Sequence, residues 1–156
     1  MGFVSVVGRS LFSALFIISA LQKINDFGHD GGAALKILKP KYGIFENHVR
    51  NSLGLEMPEF DMKQALMVII GLEGIGGILF VFGRKLGAYL LLIFLAVVTP
   101  IVHDFYNYDT KRPEYVVEFI QFLKNMSLLG ALLIFLGAKN SASRKPKKKG
   151  TKLKGN

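Results

Sequence analysis

The chain has no cysteine and no tryptophan, and only five prolines and three histidines among 156 residues. Without cysteine there can be no disulfide, no thiol redox chemistry and no thiolate metal site. That absence leaves the compartment open. Acidic residues are also scarce, 11 against 20 basic ones, for a formal net charge of +9. The imbalance is local. Residues 139–156 hold eight of the 20 basic side chains and no acidic one, so the rest of the chain carries 12 basic and 11 acidic groups. This tail has no interleaved aromatics and follows directly on a hydrophobic segment. Nucleic acid is therefore not the expected partner. A juxtamembrane tail drawn to anionic lipid fits better.

What the chain has in excess is apolar surface, with 51% hydrophobic residues. The length suits one domain. The pattern predicts an all-α membrane protein. It comprises a bundle of four transmembrane helices at about 4–23, 62–82, 86–102 and 114–137, with a short helical cap between the first two. The four-helix unit is read as 1–138 and the basic tail as 139–156.

Glu73 is the most informative residue. It is the only charge between Lys63 and Arg84. A spanning helix needs roughly 17 to 25 residues to cross about 30 Å of hydrocarbon. Glu73 therefore falls near mid-membrane, where an ionisable group costs a few kcal/mol unless it meets a partner or a polar cavity.

In the first span, Ser5, Arg9, Ser13, Phe16, Ala20 and Lys23 share an arc of about 80° at helical spacing. A cleaved leader would match the length and the alanines. It would not need such a polar face, so an uncleaved span is expected, with Arg9 near one membrane surface and Lys23 near the other.

The connection 25–60 reads as a cap facing the lumen or exterior, with amphipathic helices at about 32–39 and 42–53 on either side of Pro40. Asp61 is placed to N-cap the second span, with Gln64 completing a capping box. Gly76 and Gly77 share a face with Glu73 and allow a neighbouring helix to approach closely. Thr99-Pro100 marks the end of the third span, and Pro113 opens the fourth. Along the fourth, Glu114, Glu118, Gln121, Lys124 and Asn125 fall within about 120° of arc. Gly137 and Ala138 read as its end.

Four spans put both termini on one side. Lysine and arginine concentrate in the tail and in the Arg84-Lys85 turn, so that side is the cytosol. Lys152 and Lys154 stand fifth and third from the end, the spacing of a dilysine retrieval signal. This predicts an endoplasmic-reticulum membrane protein that engages coat machinery.

Several stretches carry a resemblance to a known family. They are Met1-Gly2-Phe3 with Gly8-Arg9, Asp30-Gly31-Gly32, Gly74-Ile75-Gly76-Gly77-Ile78-Leu79-Phe80, Gly87-Ala88-Tyr89-Leu90-Leu91-Leu92, Thr99-Pro100-Ile101 and Asp104-Phe105-Tyr106-Asn107-Tyr108. Together they resemble the plant HR-like lesion-inducing proteins, a small four-spanning family related to the broader DoxX-like membrane proteins. The resemblance covers essentially the whole chain. It implies a role in promoting or regulating cell death and defence, and it transfers no catalytic residue. DoxX-like relatives include subunits linked to thiosulfate and quinone redox chemistry, but sulfur transfer has no cysteine to work with here.

The candidate site gathers Arg9, Lys23, Glu73, His103, Glu118, Gln121, Lys124 and Asn125. Glu73 is expected to pair with Lys124 ahead of Arg9 or Lys23. The cluster reads either as an ion-pair network that fixes helix register or as a midplane site. The site would take a quinone, a sterol, a lipid headgroup or a transported ion. In the first case the protein is a non-enzymatic factor acting through a membrane-protein partner, a second copy or a lipid. In the second it is an oxidoreductase subunit or transporter. His103-Asp104 with His29 or His48 lacks the spacing that would fix metal ligands, so no metal is assigned. Nothing supplies a nucleophile, and enzymatic activity is not the expectation.

Overall fold

The structure is a computed structural model and describes residues 2–144. It is all-helical among those residues. Five α-helices run in the order α1 (Phe3–Asp26), α2 (Gly32–Leu53), α3 (Met62–Val81), α4 (Lys85–Val102) and α5 (Pro113–Arg144), with a single 3-10 turn at Phe105–Asn107. Four of them, α1, α3, α4 and α5, are long and apolar enough to cross a membrane.

The spanning helices pack as a row. α1 lies along α3, α3 along α4, and α4 along α5, whereas α1 and α5 share no packed interface. The row is held by one core around Phe16, Phe80, Leu91, Phe94, Leu95 and Leu132. A second core of Ala20, Leu38, Leu66, Ile70 and Ile101 joins it to α2. Leu11, Leu15, Ile18, Ile75, Ile93 and Ile134 point outward and are exposed, as lipid-facing positions require.

Small residues set the helix spacing. Between spanning helices Gly87 is the tightest point, where an added Cβ would lie 2.4 Å from the Phe80 backbone nitrogen and 2.8 Å from the Gly76 carbonyl oxygen. Gly77 admits Ile17, which would be 3.0 Å from such a Cβ, and Gly74 admits Ala20 at 3.3 Å. The α3 glycines therefore serve two neighbours, α1 and α4. In lipid there is little hydrophobic drive between helices, so this close contact supplies much of the association.

The sequence expectations are met at several boundaries. Asp61 N-caps α3, its carboxylate accepting from the Lys63 N–H at 2.8 Å. Pro113 is the first residue of α5. Arg9, Ser13, Phe16 and Ala20 are the buried residues of α1, four of the six in the arc foreseen from periodicity, with Ser5 exposed and Lys23 half-buried.

Two boundaries differ. The cap is one helix of 22 residues with Pro40 inside it, not two short ones. Proline removes one backbone hydrogen bond, and because Lys36 and Pro40 lie on the exposed side of α2, solvent can take up the freed carbonyl. The second difference is α5, which passes Gly137 and continues to Arg144. Glycine stops a helix mainly by turning left-handed. Gly137 keeps a negative φ, unlike Gly31, Gly32 and Gly54 at the ends of α2. The tail residues Lys152 and Lys154 lie outside the described residues.

Gly87→Ala is expected to lower stability by about 2–3 kcal/mol, the upper part of the overpacking range, because the clash is with backbone. Gly130→Ala, with nothing within 4 Å of the new methyl, should be neutral or slightly stabilising. Thermal unfolding of the two variants in mild detergent tests this, and equal melting temperatures would contradict it.

Candidate functional site

Glu73 is 3% exposed on the central helix of the row. Its Oε2 lies 2.8 Å from Lys23 Nζ of α1. Lys23 also donates to Ser19 Oγ, one turn earlier on α1, at 2.5 Å. The expected pairing with Lys124 is thus replaced by Lys23, and register explains why. The Gly74–Ala20 contact brings Lys23 within side-chain reach of Glu73. Lys124 sits at another level. Its neighbour Asn125 donates to Thr99 Oγ1 at 3.2 Å, and Thr99 is three residues from the end of α4. That is about 4.5 Å of rise. The polar stripe of α5 therefore lies near the α2 end, above the buried midsection. Lys124 and Gln121 are exposed there, and neither makes a side-chain hydrogen bond or ion pair among the described residues.

Arg9 belongs to the opposite end. It is 7% exposed, donates from Nε to the Val81 carbonyl at 3.2 Å and from Nη1 to Ser5 Oγ at 3.0 Å. Val81 is the last residue of α3, whose final turn has no basic side chain of its own. Arg9 thus satisfies an orphan carbonyl and opposes the negative end of the helix dipole.

Glu118 and His103 meet in a second cluster beneath the cap. His103 Nδ1 is 2.9 Å from Glu118 Oε2. Lys41 of α2 is 2.8 Å from Glu118 Oε1, 2.8 Å from Asp104 Oδ1, and donates to the Val102 carbonyl at 2.5 Å. Asp104 is 1% exposed and its second oxygen has no partner. Burial on its own would lower the Lys41 pKa, but hydrogen bonds and charge from Asp104 and Glu118 outweigh it and raise the ammonium above its ordinary value. Lys41 was not singled out from sequence. It shares an apolar helical face with Ala34, Leu38 and Phe45. A break assigned at Pro40 hides that face.

The two clusters border one cavity of about 550 Å³. Its α1 wall runs from Leu15 to Asp26, and α2 covers it with Ala33, Ile37 and Leu38. Glu73, Lys23 and Ser19 lie on one side, with His103 and Asn125 on another. The cavity lies between α1 and α5, the two outer helices of the row. Asp26 is fixed at its top, where Oδ2 accepts the Ala33 N–H at 2.5 Å. That contact depends on Gly32, whose φ is +66° and whose added Cβ would lie 2.0 Å from the Asp26 carbonyl oxygen. A second, almost wholly apolar cavity of about 450 Å³ lies on the α3 side of the shared wall formed by Leu38, Ile69, Phe94 and Val98.

Fold and site together define a four-span helical membrane protein with a buried ion pair beside a cavity. The profile of the HR-like lesion-inducing family matches residues 1–138, and the chain belongs to that family. No curated protein and no solved structure gave a match.

Lys23→Met should cost about 2–3 kcal/mol by leaving the Glu73 carboxyl unpaired. The value is held below the range for fully buried pairs because Lys23 is 26% exposed. The Lys23→Met/Glu73→Leu double variant should recover most of the loss. Lys124→Met should be within about 0.5 kcal/mol of the parent. Denaturant titration in detergent decides. A large loss in Lys124→Met alone would show that the pairing is wrongly assigned.

Proposed function

We propose that this chain is a multi-pass endoplasmic-reticulum membrane protein, with both termini cytosolic, that promotes or regulates cell death and defence by holding a small amphipathic molecule. It acts as a receptor or scaffold and not as a catalyst. The observation that carries this reading is the cavity, roomy enough for a drug-sized ligand, lying between α1 and α5 and walled on one side by the Lys23–Glu73 pair. Family membership supports the cell-death context.

The competing reading is a DoxX-like oxidoreductase subunit or ion transporter centred on Glu73. Against it stands Lys23, whose ammonium already fills the place a transported cation would take, 2.8 Å from the carboxylate. The Ser19 hydroxyl has no base to activate it among the described residues, since its neighbour is an ammonium donor, and Lys23, Glu73 and His103, which could also act as nucleophiles, are held in ion pairs or hydrogen bonds. The cytosolic side is supported by the end that carries Arg9, Arg84 and Lys85, where Lys85 Nζ donates to Asn140 Oδ1 at 2.6 Å.

Native mass spectrometry of the chain extracted in mild detergent is expected to show one small amphipathic molecule per protein. Glu73→Gln should lose both that molecule and the cell-death activity while remaining folded and correctly located. A clean apo mass, with activity unchanged in Glu73→Gln, would overturn the reading. For location, Lys152→Ser with Lys154→Ser should release the protein to later secretory compartments. Unchanged retention would remove the dilysine assignment.

A further inference from the structure

The cavity is polarised along the membrane normal. Its α1 wall from Leu15 to Asp26 is about 16 Å long at the helical rise. Towards mid-membrane the lining is Phe16, Phe94, Leu95 and Leu128. Towards α2 polar groups join it, Ser19, Gln22, Lys23, Glu73, His103 and Asn125, set among apolar side chains such as Leu38, Leu66 and Val102. An occupant must therefore lie parallel to the lipids of the leaflet on the α2 side, with its head up and its chain down.

The charges of the wall say what that head is. Lys23 is already held by Glu73 and Ser19, so it offers no free cation to a phosphate or carboxylate. Lys41 is committed to Asp104 and Glu118. Lys124 is exposed on the edge of α5 and does not line the cavity. An amine fares no better. Glu73 has its ammonium partner, and Asp26, one oxygen of which accepts the Ala33 N–H, stands exposed at the α2 end of the wall, where solvent rather than the cavity meets its charge. What stays open is hydrogen-bonding capacity. Gln22 makes no side-chain hydrogen bond among the described residues. His103 has its Nδ1 occupied by Glu118 and its Nε2 unused. Asn125 spends its amide nitrogen on Thr99 and keeps its amide oxygen. Gln22 and Asn125 donate and accept without bringing net charge, and the open ring nitrogen of His103 adds one more hydrogen-bonding group.

We infer that the cavity selects an uncharged lipid of the α2-side leaflet whose head carries a hydroxyl or an ester or amide carbonyl. The head sits among Gln22, His103 and Asn125, and the apolar part descends past Phe94 and Leu128 to the opening between α1 and α5. This rests on the ligand-binding reading above and narrows it. Burying a charged head here would need a counter-charge that the wall does not have to spare. Burying a hydroxyl or carbonyl needs only the hydrogen bonds already waiting.

Three photoreactive lipids with the same diazirine-bearing chain test this in nanodiscs holding the full chain. One has a glycerol ester head, one a carboxylate and one an amine. The glycerol ester should label peptides spanning 15–26 and 121–128 about fivefold more than either charged lipid, the ratio one neutral hydrogen bond sustains. Gln22→Ala should bring that preference close to unity, and Leu128→Trp should block labelling by filling the floor, with melting temperatures unchanged in both. Lys124→Met should leave labelling as it was. Equal or stronger labelling by the carboxylate or the amine, or labelling confined to other peptides, would overturn the inference. If a charged molecule co-purifies by native mass spectrometry, the lipid class fails and the ligand-binding reading stands. If nothing co-purifies and nothing labels the cavity, both fall.

Discussion

The structure is organised around one contact, that of the Glu73 carboxyl with the Lys23 ammonium inside an apolar helix. An unpaired carboxylate at that depth would be costly, and 2.8 Å to Lys23 Nζ removes the problem only if α1 comes close. The approach is set by residues without bulk. Gly74 lies against Ala20 and Gly77 against Phe16 and Ile17, so the same stripe that brings α1 close also fixes its height. A shift of one turn, 5.4 Å, would carry Lys23 past the carboxylate. Ion pair and glycine seam therefore specify one register between them. In a bilayer, where helices gain little from hydrophobic burial against one another, such double specification is what separates a defined bundle from a loose one.

The remaining polar groups sort by height. Arg9 closes the end of α3 on one side of the membrane-spanning layer. Lys41 and Tyr106 do the same for α4 on the other, taking the Val102 and Pro100 carbonyls. Each of these helix ends is thus completed by a long side chain from elsewhere in the chain, an arrangement that ties the ends of the row together. Lys41 does more, since it also joins Asp104 to Glu118 and through Glu118 to His103. The cap is therefore bonded to α4 and α5 at one point. At its other end, Lys63 donates to the His29 carbonyl at 2.6 Å and links α3 to the α1–α2 junction.

Periodicity and composition made most of this legible. The four spans, the buried arc of α1, the N-cap at Asp61 and the close-approach role of the α3 glycines all follow from local pattern, which is where helices in lipid carry their clearest signal. The partner of Glu73 was not legible. Arg9, Lys23 and Lys124 all lie on the polar arcs of their helices, and a helical wheel gives direction without height. Height came from contacts such as Gly74–Ala20 and Asn125–Thr99, which join positions far apart in the chain. Lys41 was missed for a local reason. Proline was given the power to end a helix, but on the outer side of α2 it costs one hydrogen bond and the helix continues.

The row arrangement explains why there is a cavity at all. A closed four-helix bundle would bring α1 onto α5 and fill its centre with side chains. Here α3 and α4 occupy the middle of the row, and glycine contacts draw them close, as at Gly87 against the α3 backbone. The two outer helices are then held apart by the pair they flank. The space left between them is closed above by α2, which Asp26 and Lys41 hold in place. It stays open sideways. Polar groups line its upper part because the ion pair and the Lys41 cluster each present one face to it. Its lower part is apolar because nothing charged is needed there. Shape and chemistry of the cavity are thus by-products of the two interactions that hold the helices in register, and a substitution that moves either interaction must also change what the cavity can hold.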